Sequence, residues 1–397
     1  MSTILLPDLD GSLKSYRVGP ASPYPEAAEG AFTRTVYAAA HVVADPVAGT
    51  TPWTKASLDW NATLAYRSRL WRLGFKIAEA MDTSQRGMGF DWGTAQELIR
   101  RSIRAARAED GDLASGAGTD HLDAEAVRSL DDVIRAYEEQ VEFIESQGGR
   151  VILMASRALA RVARGPEDYA AVYGRILSQT REPVILHWLG AMFDPTLEGY
   201  WGSRNLDQAE ETVLGIIRDN RAKVEGIKIS LLDKDREIGF RRRLPEGVLM
   251  YTGDDFNYAE LIAGDERGYS HGLLGIFDPI APAAAAALSR LAAGDRAGYD
   301  AILEATVPLS RKVFEAPTQF YKAGVVFLAW LNGFQDHFTM VGGMQSARGI
   351  LHYAEVFRLA DQARLLRDPE LAVRRMSALC QVHGVEPARA PLRVHAA

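Results

Sequence analysis

From residue 35 to about 292, short apolar runs along the chain are each followed by a longer segment with apolar residues at helical spacing. Runs of the first kind predict buried strands, and the 3.6-residue period of the second predicts helices packed on them. The predicted strands cover 35–43, 74–81, 112–115, 150–155, 183–189, 224–230, 248–251 and 268–276. The predicted helices cover 58–73, 94–108, 124–147, 166–179, 206–220 and 281–293. Eight strands with crossovers over roughly 250 residues is the arithmetic of a (β/α)8 TIM barrel. An open doubly wound sheet is the alternative, but no GxGxxG stands between a strand and a helix to support it. After residue 294 the strand signals stop, and 298–314, 320–334 and 345–366 all carry helical spacing. Near the start, Thr3-Ile4-Leu5-Leu6 and Ser15-Tyr16-Arg17-Val18 flank Asp8-Leu9-Asp10-Gly11, a hairpin-like turn signal. The chain therefore divides into an N-terminal extension (1–34), a barrel (35–294) and a C-terminal helical extension (295–397).

Composition narrows the class of protein. Apolar residues make up 47% and charged residues 24% of 397, close to globular averages, so disorder is excluded as the main state. No apolar run approaches the roughly 18 residues that a membrane-spanning helix needs. The start has no basic head, apolar core or cleavage site, so a cytoplasmic protein is expected, with no membrane as partner. A net charge of -7 argues against nucleic acid as a partner. Cys380 is the only cysteine, which excludes an internal disulfide and a cysteine metal cluster. The run Arg241-Arg242-Arg243 is expected on a solvated surface or between subunits. The apolar helical extension predicts a homo-oligomer.

One strand carries candidate chemistry. Val224-Glu225-Gly226-Ile227-Lys228-Ile229-Ser230 is a buried-strand pattern with a lysine near its C-terminal end, where barrel active sites form. A lysine stripped of water loses affinity for its proton, which makes a neutral, nucleophilic amine available. The plain alternative is a lysine snorkelling to the rim.

The surrounding motifs decide between these readings. The strand resembles the Schiff-base lysine strand G-I-K-x-[ST] of the dihydrodipicolinate synthase and N-acetylneuraminate lyase superfamily. Leu249-Met250-Tyr251-Thr252-Gly253-Asp254-Asp255 resembles its G-D-D turn, and 268–282 its glycine-rich eighth strand. Arg311-Lys312-Val313-Phe314-Glu315-Ala316-Pro317 and Tyr321-Lys322-Ala323-Gly324 are similar to its first appended helices. The resemblance covers roughly 35–335 and is most specific from 224 on. It implies a class I lyase, aldolase or dehydratase acting on a 2-oxo acid or keto sugar derivative, with Lys228 as Schiff-base lysine and no cofactor. It also places Asp82-Thr83-Ser84-Gln85 at the family's hydroxyl turn, so Thr83 and Ser84 would hold a substrate carboxylate beside Asp82.

There are departures. His187 stands where the family's fifth strand ends in a proton-shuttling tyrosine, and no arginine follows it. The fourth strand ends Met154-Ala155-Ser156-Arg157 instead of in a Pro-Tyr-Tyr motif. A plain dihydrodipicolinate synthase is not expected; a divergent branch with an unassigned substrate is. His187 becomes the expected acid/base, since an imidazole takes and gives protons near neutral pH. Arg157 and Asp254 are further substrate-binding candidates. Two other classes stay open. His41, Glu79, Asp82 and His187 at one barrel mouth could bind a divalent metal in an isomerase or aldolase. A non-catalytic small-molecule sensor could also keep the barrel as a scaffold.

Overall fold

The computed structural model describes residues 2–123 and 125–385. Two short strands, β1 (Thr3–Pro7) and β2 (Leu13–Arg17), pair antiparallel as the turn signal predicts. Eight further strands form a closed parallel barrel: β3 (Val36–Ala39), β4 (Lys76–Glu79), β5 (Leu113–Ala117), β6 (Arg150–Leu153), β7 (Val184–Leu189), β8 (Val224–Ser230), β9 (Leu249–Thr252) and β10 (His271–Leu274). Neighbours follow chain order and β10 pairs with β3. This is the (β/α)8 barrel that the periodicity predicts.

The helices on the outside are α1 (Trp60–Arg72), α2 (Trp92–Glu109), α3 (Leu130–Ser146), α4 (Arg157–Val162), α5 (Pro166–Gln179), α6 (Leu206–Asp219), α7 (Lys234–Arg241), α8 (Tyr258–Ala263) and α9 (Ala281–Ala292). Local chemistry sets their starts. Ser129 and Asp132 form a reciprocal capping box on α3, and the Asn205 side chain accepts from two N–H groups of α6. That box starts α3 later than predicted; Ala124, where its helix was expected to begin, lies outside the described residues. Helices α7 and α8 were not predicted. One is mostly charged, and the other is too short to show a period.

Strand β3 stops earlier than predicted because its backbone bonds elsewhere. The N–H groups of His41 and Val43 donate to the side chains of Asp278 and Thr63 instead of to a neighbouring strand. The run Arg241-Arg242-Arg243, expected in solvent or between subunits, pairs within the chain, with Asp265, Glu210 and Glu211.

Side-chain parity determines what reaches the barrel interior. Tyr37, Ala78, Ala114, Ile152, Ile185 and Tyr251 pack together inside, whereas Ile77, Leu186, Ile227 and Ile229 belong to the larger core under the helices. One irregularity matters for β8. Val184 pairs with Val224 but Ile185 pairs with Gly226, so Glu225 is an extra, bulged residue. It turns to the barrel floor, where it meets Arg150 and accepts a 2.7 Å hydrogen bond from the Tyr251 hydroxyl. Above the bulge, Gly226, Lys228 and Ser230 occupy interior positions.

The C-terminal region is helical: α10 (Arg296–Val313), α11 (Tyr321–Leu331), α12 (Ile350–Gln362) and α13 (Pro369–Val382). Every residue of α11 is buried. The hairpin packs on this region, with the Tyr16 hydroxyl donating to Asp361 at 2.8 Å. No helix among the described residues is long and apolar enough to cross a membrane.

Candidate functional site

Lys228 lies deep in the barrel, 8% exposed, beside His187 on the neighbouring strand. The backbone of Gly253 runs against it: a Cβ there would meet Lys228 Cε at 2.7 Å and Ser230 Oγ at 2.2 Å. Only glycine fits that approach. Burial lowers the affinity of the Lys228 amine for its proton, partly offset by the negative charges of Asp255 and Asp82.

Asp255 is one residue whose role sequence reasoning missed. It is fully buried; its Oδ1 accepts from the Ile276 N–H at 2.9 Å. Burial pushes its carboxyl up to about 7, against that hydrogen bond and the charge of Lys228. The first aspartate of the pair, Asp254, was the expected substrate contact. Its oxygens instead accept from the Phe256 and Asn257 N–H groups and from the Asn257 side chain, so it builds the turn. Beyond Gly253 the chain leaves strand geometry, and alternation no longer tells which of two adjacent aspartates points inward.

His187 Nε2 lies 3.4 Å from Ser230 Oγ, and Nδ1 has no hydrogen-bond partner among the described residues. Burial, with the charge of Lys228 second, pushes its pKa well below the usual value. Burial thus weighs against the expectation that it titrates near neutrality and favours the neutral imidazole there.

Asp82, Thr83 and Ser84 form a single 3-10 turn after β4. The Thr83 hydroxyl shares a 2.7 Å hydrogen bond with the Tyr321 hydroxyl, whose ring stacks on Phe314. Gly275 makes room for both rings, each 3.0 Å from where its Cβ would stand. The Ser84 hydroxyl donates back to the Met81 carbonyl at 3.1 Å, within its own turn. Tyr321 was not among the sequence candidates. It comes from α11, far along the chain, and no local pattern links it to Thr83.

A cavity of about 330 Å³ opens at this mouth, lined among others by Asp82, Arg86, Thr119, Arg157, His187 and Asp194. A smaller one of about 150 Å³ adjoins it, sharing Asp82, Arg86, Arg157, Leu189 and Asp194, and reaches Tyr321 and Lys322. Lys228, Thr83, Ser84 and Asp254 line neither. Lys228 is coupled to the cavity through two residues that do line it, His187 and Asp82. Arg157 donates from Nε to Asp194. Arg86 donates to Asp120, to Gln140 and to the carbonyls of Ala80 and Gly116.

The four candidate metal ligands do not converge. Glu79 follows the inward Ala78 and so points outward, into a bidentate pair with Arg67 in which both side chains are fully buried. Burial opposes ionisation of Glu79, but Arg67 outweighs it and holds the carboxyl below its usual range. His41 Nδ1 is 2.8 Å from Asp278, which also accepts from the Tyr66 hydroxyl. Among the described residues no three His, Cys, Asp or Glu side chains group as a metal site. Glu79→Ala is accordingly expected to act on stability, leaving Arg67 buried and unpaired at a cost of about 3–5 kcal/mol. Urea unfolding measures this; a loss below about 1 kcal/mol would mean that Arg67 finds another partner.

Among curated proteins, none matches this chain. Solved structures of similar fold do. YagE, a prophage protein belonging to the dihydrodipicolinic acid synthase family from E. coli K12, in complex with pyruvate, has a TM-score of 0.65 at 12% identity, covering 84% of this chain and 100% of that one. The dihydrodipicolinate synthase of Aquifex aeolicus has a TM-score of 0.63 at 11% identity, covering 84% and 99%. A dihydrodipicolinate synthetase-type protein from Pseudomonas aeruginosa has a TM-score of 0.58 at 16% identity, covering 81% and 99%. The fold is thus that of the dihydrodipicolinate synthases. Residues 4–385 match a family model described as "Protein of unknown function (DUF993)", and the chain belongs to that family.

Proposed function

We propose that this protein is a Schiff-base (class I) lyase, an aldolase or dehydratase acting on a 2-oxo acid or keto sugar derivative. The observation that carries the reading is the buried Lys228 amine, its proton affinity lowered by desolvation, inside a dihydrodipicolinate synthase-type barrel. The neutral amine attacks the substrate ketone, and the resulting carbinolamine loses water to give an iminium. That cation draws electrons from the adjacent carbon. Carbon–carbon cleavage, with loss of the substrate's hydroxyl proton, leaves an enamine directly. In dehydration, loss of the α-proton gives the enamine, which then expels the β-hydroxyl as water and leaves a conjugated iminium. Protonation of the enamine after cleavage, and hydrolysis of the iminium on either route, then return Lys228.

Each step needs a proton donor or acceptor, and two buried groups suit it. Neutral His187 can accept the proton of a substrate hydroxyl in the cavity it lines. Asp255, poised near pH 7 beside Lys228, can supply the proton that departs with water and take it back on hydrolysis. Thr83 lines neither cavity, but its hydroxyl is tied to that of Tyr321, which lines the smaller one, so its part in orienting the substrate would run through that tyrosine.

Reductive trapping tests the reading. Pyruvate, the molecule recorded with YagE, plus borohydride should add mass to a peptide containing Lys228; label on another lysine would overturn it. The iminium supplies the electrophilic activation a metal would otherwise provide, so EDTA is expected to leave turnover intact. Loss of activity restored by a divalent ion would replace this reading with a metal-dependent one.

A further inference from the structure

Lys322 is a second buried lysine that the proposed mechanism does not use. It is 3% exposed on α11, and its Nζ meets the Gln319 carbonyl oxygen at 2.9 Å and the Met88 sulfur at 3.5 Å. Among the described residues it forms no ion pair. Its Nζ also lies 4.6 Å from the centre of the Tyr321 ring, but burying an ammonium with no carboxylate partner is costly, and packing alone would be served better by methionine. The side chain lines the smaller cavity together with Arg157. The nitrogens of Arg86 are all engaged by protein acceptors, whereas Arg157 is half exposed and bonds Asp194 only through Nε. Two cations with donors left over therefore face one small space. Asp82, on the border of both cavities, interacts electrostatically with Lys228 and with Lys322.

We propose that Lys322 and Arg157 form a binding subsite for a terminal oxyanion, carboxylate or phosphate, at the end of the substrate furthest from its carbonyl. This deepens the Schiff-base reading and rests on it for the position of the carbonyl. His187 lines only the larger cavity and Lys322 only the smaller. A substrate with its carbonyl beside His187 and Lys228 extends past Asp82 and Arg157 to Lys322. Burial also brings the Lys322 amine down to about 8, against the charge of Asp82, so binding of the oxyanion should weaken as pH rises through that value.

The test compares two six-carbon acids that differ only at the far end, 2-oxohexanoate and 2-oxoadipate, with pyruvate as control. Half-saturation for borohydride trapping at Lys228 is measured on the full chain. The wild type is expected to favour 2-oxoadipate over 2-oxohexanoate by about tenfold, the scale of one charge-assisted hydrogen bond. Lys322→Met should abolish that preference, leave pyruvate unchanged and raise the melting temperature by removing a buried charge. Arg157→Gln, at a half-exposed position, should reduce the preference and carries the test if the Lys322 variant fails to fold. Inorganic phosphate separates the two sources: competition against 2-oxoadipate but not pyruvate assigns a phosphate-bearing substrate, and no competition assigns a carboxylate. Equal half-saturation for both six-carbon acids in the wild type would overturn the subsite and leave the Schiff-base reading standing. If no acid traps Lys228, calorimetry with 2-oxoadipate decides: binding that depends on Lys322 keeps the subsite while the lyase reading falls, and no binding overturns both.

Discussion

Lys228→Ala is expected to abolish both reductive trapping and turnover, while the protein stays folded. The substitution removes a buried amine whose proton affinity is already reduced by desolvation, so the barrel loses no favourable ion pair that its fold depends on. The chemistry loses the amine that the proposal makes its nucleophile. A pH dependence accompanies the effect. Only the free amine attacks, so the initial trapping rate of the wild type should rise with pH and level off below the 10.5 of an ordinary lysine. Mass spectrometry of the trapped peptide and steady-state rates across pH measure both. Full activity in Lys228→Ala would end the Schiff-base assignment.

The second large effect separates His187 from Asp255. If His187 is the acceptor of the substrate's hydroxyl proton, His187→Asn should cut turnover by about 10²–10⁴ and spare trapping with pyruvate, which has no hydroxyl to deprotonate. Its imidazole is neutral well below pH 6.5, so its loss should not move the limb of the rate profile near neutrality. That limb belongs to Asp255, with its pKa of about 7, and Asp255→Asn should erase it. Stability provides an independent check, with the sign fixed by linkage. Folding raises the Asp255 pKa from 3.8, so its contribution is fully present below about pH 4 and is lost as pH rises through about 7. Asp255→Asn should therefore be more stable than wild type above pH 7, by at most about 1.4 kcal/mol for each unit of raised pKa. A limb near pH 7 that vanishes in His187→Asn and persists in Asp255→Asn would reverse the two roles.

What the sequence by itself determined was everything carried by local periodicity. Alternating apolar runs and helical segments specify the eight strands, their order and the barrel, because in a parallel sheet each strand is buried on both faces. The hairpin before the barrel and the helical run after it follow from the same local rules. Lys228 was legible too, since a lone lysine in an apolar strand stands out and its flanking residues match a known pattern. Tertiary structure alone decided which polar groups share a space. Glu79 looked like a mouth residue, yet strand parity turns it to Arg67 under the helices. Asp254 and Asp255 are neighbours of the same type; only the fold assigns one to the turn and the other to Lys228. Tyr321 and Lys322 reach the site from α11, so their partners Thr83 and Met88 lie far away in the chain. The bulge at Glu225 sets which face of β8 turns inward, and it arises from pairing with β7, not from any pattern within β8. Periodicity reports the burial of a single element, whereas a site is a meeting of side chains from several, and such long-range packing leaves no mark at short sequence separation.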